Sequence, residues 1–554
     1  MLIALQKYAK FSSELKEAEP SGSFAKALRR HVKRKMAVQT ASPFSLSTVA
    51  FAHKYIYQNG LLVYTVDDPY KLRILSLHQS VSDELVVDVR RLVEAEKPNF
   101  SGWSRSEIQP LHHSDGIISC LLTDHAGTFG DGGWLIFWAV DSPAKTLQML
   151  YIETTLKIFV RNNCNYLYCG VLDAIGDSDS LGWLLQCFDL RKRKKSPDSF
   201  PLLDFVGNNI GQNACFEVID DFLYGVSNEQ ICDPETQSWN SFYYVFRVKM
   251  GDHIAFELLP TQRSWRRHGS EGAIDNRWTS LDLVKDEQTG LAVLYETRKE
   301  WSAHNSYSQR NCYRKELDFP PGLDSSDYED MDLDAKDMER HREIRLPSDL
   351  HAGDCGSNSA TPSFMEMLAF SYNSSARCFV DLVRYRPPGM MGEESIRLRV
   401  RPMRRVPMDH YPERGGQALS DDPGVFVWPP LLNDAGQPDS PTSQVREILK
   451  VPSAASKLDW SADEKCLVFA YDRGDNANNL KVINLISFDP ELRFYGHQRL
   501  AAAQSAYSIE PPWRHSIPRS PELRYPGWLY KAPANYVWIR DRSGCYQQCF
   551  DFSL

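Results

Sequence analysis

The chain of 554 residues has no unbroken apolar run of about 18 residues, so no stretch reads as a membrane-crossing helix. Its first residues, Met1-Leu2-Ile3-Ala4-Leu5-Gln6-Lys7, form too short an apolar run for a secretion signal. It has no C-x-x-C pair. Cys164 with Cys169 and Cys545 with Cys549 come nearest, and neither has zinc-ligand company. The twelve cysteines are scattered mostly through apolar stretches, as at Cys120, Cys187 and Cys215, and read as reduced core residues of a cytoplasmic or nuclear protein. G-x-S-x-G is missing, which excludes the nucleophile elbow of a peptidase. G-x-x-x-x-G-K-[ST] and G-x-G-x-x-G are missing too, which leaves no phosphate-binding loop. His112 and His113 are neighbours, so on a strand they point to opposite faces and share no metal. No cofactor and no metal are expected.

What the sequence has is strands, 42% of it being hydrophobic and 12% aromatic. The segment Phe222-Leu223-Tyr224-Gly225-Val226, entered through Asp220-Asp221, is followed by Phe242 to Val248. Phe242, Tyr244, Phe246 and Val248 share one face, and Tyr243 and Val245 share the other. A strand apolar on both faces belongs to a sheet stacked between two others. The same order of turn, strand, polar loop and strand recurs. It pairs Asn59–Tyr64 with Leu72–Leu77, Asp115–Leu121 with Trp134–Val140, and Asn165–Tyr168 with Trp183–Leu190. It returns in Thr289–Tyr295 with Cys312–Phe319, Arg377–Val383 with Ser395–Val400, and Glu464–Ala470 with Leu480–Ile486. Such repetition predicts a mainly β fold, a WD40-like β-propeller of about seven blades over residues 46–554. The run Cys545 to Phe552 is expected to close the ring on an N-terminal strand.

Residues 1–45 read as a helical segment. Leu5, Tyr8 and Phe11 recur at helical spacing, as do Phe24, Leu28 and Val32, with Pro20-Ser21-Gly22 between them and Ser23 placed to cap the second helix. That helix carries Lys26, Arg29, Arg30, Lys33, Arg34 and Lys35 without an acid among them. No aromatic residues interleave to stack bases, so a solvated face beside an acidic body is expected over a nucleic-acid patch. Leu323 to Glu339 holds eight acids against Lys336 alone and is expected to be a disordered insert, near 322–350. A second insert is expected near 385–445, rich in Arg, Pro and Gly.

Two further stretches draw attention. Asp459 to Glu464 resembles the Asp-rich turn of sialidase-type propellers but lacks its later glycine and tryptophan, and a turn-forming Asp before a strand accounts for it. The connection from Trp265 to Trp278 combines Trp265, Arg266, Arg267, Arg277 and Trp278, residue types enriched at binding hot spots. With Trp301 these make the candidate partner-binding residues. The competing reading has the tryptophans in the core and the arginines paired with acids.

In several segments the chain resembles the fungal F-box proteins with a β-propeller-like C-terminal region. These are Ser23–Arg30 leading to Ala41–Ser45, Lys157–Asn162, Asp204–Gly207, Ser241–Tyr243, Trp265–Arg267 through Glu271-Gly272, Trp278-Thr279, Arg298–Trp301 and Leu485–Pro490. The resemblance implies a non-enzymatic scaffold that recruits a protein substrate to a cullin–RING ubiquitin ligase. The F-box itself, a Leu-Pro-acidic start followed by leucine-rich helices, is not visible before Phe24. The expectation is a chain truncated upstream or one that has lost the module, and no binding to the ligase adaptor. The alternatives are a propeller enzyme, a hydrolase or lyase with carboxylates in the central channel, and a nucleic-acid or chromatin adaptor using the basic helix.

Overall fold

The computed structural model describes residues 10–549, except 320–350, 356–364, 406–424, 431–441, 451–457, 500–528 and shorter connections. Seven antiparallel sheets follow one another along the chain as the blades of a β-propeller. The innermost strands of blades 1 to 7 are Lys54–Gln58, Ser106–Ser114, Ile158–Asn162, Ala214–Ile219, Ile274–Lys285, Met365–Asn373 and Asp459–Ala462. The seven strand pairs read from the sequence are the second and third strands of these blades. The turns explain the regularity. Asn59 (φ 49°) and Gly60 (φ 75°) both adopt left-handed backbone, the condition for the tight hairpin turn that Asn-Gly favours.

Each blade packs on the next through its own apolar layer. Between blades 3 and 4, Phe159 stacks on Phe216 with ring centroids 3.9 Å apart, beside the buried Trp183 and Phe246. Gly225 is required there, because a Cβ would lie 2.2 Å from the Phe246 ring. The strand Trp239–Lys249 buries Phe242, Phe246 and Val248 on one face and Tyr243 and Val245 on the other, as its two apolar faces predict. Between blades 5 and 6 the apolar layer shrinks to Val293, Tyr295, Cys312 and Phe379, with Val284 and Tyr372 against it. Here buried charge joins the sheets: Arg310 Nη1 reaches both oxygens of Asp381 at 2.9 Å, and Arg399 Nη1 reaches Asp381 Oδ2 at 3.1 Å.

The ring is closed differently from the sequence expectation. Ser45–Ala52 forms the outer side of blade 7, antiparallel to Lys481–Ser487. The tail strand Tyr546–Cys549 pairs instead with Val537–Arg540, and Leu529–Pro533 adds to the outer edge of blade 1. An early strand serves better because Leu46 and Val49 can enter the two apolar layers flanking blade 7. The acidic insert 322–350 lies outside the described residues. Within 385–445, expected to be irregular, Ser395–Pro402 and Phe426–Trp428 are strands of blade 6. Ile396, Leu398 and Val400 point into its core, so the strand read there from Ser395 to Val400 holds and Phe426–Trp428 is the addition.

Among the described residues two helices precede the ring, α1 (Ser13–Ala18) and α2 (Phe24–Gln39). Ser12 caps α1 by accepting from Leu15 N at 3.3 Å, whereas Ser23 makes no side-chain cap for α2. The α2 face that is buried carries Ala27, His31, Arg34 and Val38, and Val32 is exposed. Leu5 and Tyr8 lie outside the described residues. The basic residues of α2 meet acids of the propeller and of α1: Arg34 with Glu14 at 2.5 Å, Arg30 with Asp489 at 2.5 Å, Lys26 with Glu491 at 2.9 Å. The acids beside the helix fit the acidic-body reading, but the face is not solvated, since Arg34 is fully buried. No helix among the described residues is long and apolar enough to cross a membrane.

Candidate active site in the central channel

The innermost strands surround a central cavity of about 1470 Å³. Side chains on these strands alternate towards the two neighbouring blades, as Phe159 and Val160 do, and some of them also line the cavity. Three charged residues on consecutive blades line it: Arg161 on blade 3, Glu217 on blade 4 and Asp282 on blade 5. Arg161 is anchored by its own surroundings. Its Nε donates to Phe216 O and its Nη1 to Val160 O, both at 2.8 Å. Its Nε also lies 3.3 Å from Glu217 Oε2. Glu217 Oε1 accepts from Val218 N at 3.1 Å.

Both carboxyls are pushed above the usual carboxylate range. For Glu217 burial within the channel wall is the main cause, opposed by Arg161 and reinforced by the negative charge of Asp282. For Asp282 burial again leads, with Arg161 opposing it. Asp282 is open to the channel, where water can moderate the effect of burial. Arg161 opposes the upward shift of both carboxyls, most directly at Glu217, which it contacts.

His112, on blade 2, also lines this cavity. It is buried, and neither ring nitrogen has a hydrogen-bond partner among the described residues. Burial, then the charge of Arg161, holds its pKa well below the ordinary value, so the imidazole is neutral. A bulge between Pro110 and His112 shifts the register at this point, which period-two counting does not reveal. Glu217 and Asp282 carried no local motif, and only their positions on adjacent inner strands bring them together.

The candidate docking residues sit elsewhere and differently. Trp265–His268 is an outer strand of blade 4, and Arg277 and Trp278 belong to the innermost strand of blade 5. Arg266 is buried, with Nη2 2.5 Å and Nε 3.0 Å from Glu296 Oε1, and Nη1 2.8 Å from Ser241 Oγ. Arg267 Nη1 lies 2.6 Å from Glu300 Oε2, also buried. These arginines hold blades 4 and 5 together, so the picture of an open, Arg-rich connection is corrected. Each is drawn inward by an acid of blade 5. Trp278 stacks on Phe370 of blade 6 at 5.0 Å, and Trp265 meets Phe242 edge-on at 5.3 Å. Trp301 ends its strand, half-buried, with Lys299 Nζ 5.8 Å from its ring. Of the six, Arg277 alone has a largely exposed side chain (85%), and it bonds Asp275 at 2.8 Å.

No family model matches the chain, and no curated protein matches it. The resemblance to fungal F-box proteins therefore rests on the sequence segments alone. Among solved structures the chain is similar to a prolyl endopeptidase, at 10% identity and a TM-score of 0.33, over 80% of this chain and 48% of the other. It is similar to the acylaminoacyl peptidase of Pyrococcus horikoshii at 9% identity and a TM-score of 0.30, over 81% and 52%. With the polysaccharide lyase Uly1 the values are 8% and 0.32, over 80% and 91%. The chain thus spans about half the length of the two peptidases. Likeness of this degree concerns the fold, and activity has to be argued from the channel itself. These similar structures are those of enzymes, and the expected non-enzymatic scaffold for a ubiquitin ligase finds no counterpart among them.

Proposed function

We propose that this chain is a propeller enzyme, a hydrolase or lyase that cleaves a hydroxyl-rich, carbohydrate-like substrate in its channel. The observation that carries the reading is that Glu217 and Asp282, both raised in pKa, line one cavity together with Arg161, which contacts Glu217. Cleaving a glycosidic bond needs one carboxyl that gives a proton and another that takes one. Arg161 and the Val218 amide favour the charged form of Glu217, which suits it to act as the base. Asp282 makes no direct ion pair among the described residues and is the better proton donor. The rest of the wall is rich in amides and hydroxyls, including Gln58, Asn59, Ser114 and Asn163, which suit a polar substrate.

The test is a panel of neutral and uronic-acid polysaccharides offered to the purified chain. New reducing ends without unsaturation would mark a hydrolase, and ultraviolet-absorbing unsaturated ends a lyase. Glu217→Gln and Asp282→Asn should each lower turnover by about 10²–10⁴-fold, the usual share of general acid–base catalysis, with unchanged melting. Turnover that survives both substitutions would refute the assignment, and so would the absence of cleavage across the panel.

A further inference from the structure

We infer that the seam between blades 7 and 1 is a binding site for a zinc-class divalent metal ion, with His78, Asp463 and Cys466 as ligands. The three offer nitrogen, oxygen and sulfur donors, all within 4.8 Å of one another. That mixed set suits a borderline-soft ion and is a poor match for calcium or magnesium, which take oxygen. With metal–ligand distances of about 2.0–2.3 Å, tetrahedral donors sit roughly 3.3–3.6 Å apart. His78 Nε2 and Asp463 Oδ2 are now 2.9 Å apart, so entry of an ion requires them to separate by only a few tenths of an ångström.

The ligands are held as a preorganised site would hold them. Asp463 Oδ1 accepts from Lys465 N and Cys466 N, each at 2.8 Å, which aims Oδ2 at His78. The Tyr57 hydroxyl donates to the same Oδ2 and lies 3.4 Å from His78 Nε2. Ser487 Oγ stands 3.6 Å from the Cys466 sulfur. The His78 ring occupies the space over Gly60, where a Cβ would come within 2.2 Å of it, and Leu77 N is tied to Gly60 O at 2.6 Å. Outer contacts of this kind orient metal ligands and tune their basicity. Tyr57, Asp463 and Cys466 also line the channel cavity, which supplies an entry path and leaves a coordination position for water.

Two ligands come from the last blade and one from the first, so the ion would join the two ends of the ring. Binding displaces the Cys466 thiol proton and any proton on His78 Nε2 to solvent, leaving thiolate and neutral imidazole on the metal. The site is independent of the carboxylate chemistry above, and its experiment reads no turnover. Full-length protein, stripped with chelator, is given Zn²⁺ or Co²⁺, desalted and assayed for bound metal and for absorption. One ion per chain should be retained. The Co²⁺ form should show a thiolate-to-metal charge-transfer band, absent in Cys466→Ser, and His78→Gln should weaken binding by at least about tenfold. Failure of the wild type to retain metal overturns the site. So does a Co²⁺ form without the thiolate band, or variants that bind as well as the wild type. If a variant fails to fold, the wild-type Co²⁺ spectrum decides alone.

Discussion

Replacing Arg266 by Met would separate the energetic roles of the blade 4–5 contact. Arg266 and Glu296 are both essentially excluded from solvent, with side-chain exposures of 2% and 0%. Glu296 also accepts from Tyr243, and Arg298 Nη2 lies 2.7 Å from its Oε2. Methionine fills most of the arginine's volume, so packing changes little. What changes is charge: Glu296 loses the partner that contacts Oε1, and Ser241 loses its donor. Breaking one side of a buried pair costs about 3–5 kcal/mol, because the surviving charge is left poorly solvated. The remaining Arg298 contact puts this case at the lower end, about 3 kcal/mol. The assay is urea denaturation followed by tryptophan fluorescence. Adding Glu296→Gln should recover part of the loss, because the orphaned charge is then removed. A single variant within about 0.5 kcal/mol of wild type would refute the reasoning and restore Arg266 as a residue available to partners.

The same carboxylate predicts an acid limb. Burial raises the Glu296 pKa, but Arg266 and then Arg298 outweigh it and hold it at about 2, below the ordinary 4.5. Its contribution is therefore complete above pH 4.5 and is lost as pH falls towards 2, and Glu296→Gln should flatten that part of a stability–pH profile. Gly60→Ala should cost more than about 1 kcal/mol, since it forces a side chain at φ 75° into the His78 ring, and the melting temperature should drop accordingly. Gly225→Ala should cost about 1–3 kcal/mol in the same measurement by overpacking Phe246. Replacing Leu46 and Val49 together by Asp should open the ring at blade 7, seen as rapid proteolysis between blades, because both side chains are buried in its flanking layers.

Blades were legible because their two central strands are apolar on both faces and bounded by Asn, Asp and Gly turns. Phe242 to Val248 shows the pattern in one glance, and Asn59-Gly60 marks the hairpin chemically. The outer strands were harder. Trp265–His268 is short and charged, so it reads as a connection, and its pairing with Asn240 and Ser241 depends on tertiary context. The ring closure was missed because a strand's partner is set by register over the whole fold, and Ser45–Ala52 carries no mark of its destination. The channel was harder still. Arg161, Glu217 and Asp282 lie on separate strands of three blades, and only closure of the ring gives them a common environment. The His78–Asp463 contact spans most of the chain, far beyond any motif window, although the turn role assigned to Asp463 does hold through its bonds to Lys465 N and Cys466 N.

The closing strand sets a timetable for biosynthesis. Ser45 pairs with Ser487, so its partner leaves the ribosome about 440 residues later. At the usual pace of about 5–20 residues per second, that wait lasts roughly 20–90 s. Throughout it Ser45–Ala52 has no partner from blade 7, and the unsealed face of blade 1 presents Leu62, Tyr64 and Leu75 to the cell. Nascent blades can stack in order as they emerge, but the circle is sealed only near the end of translation. Chaperone demand should therefore be concentrated on the first blade, and a stalled or prematurely terminated chain should be far more prone to aggregation than its length alone suggests.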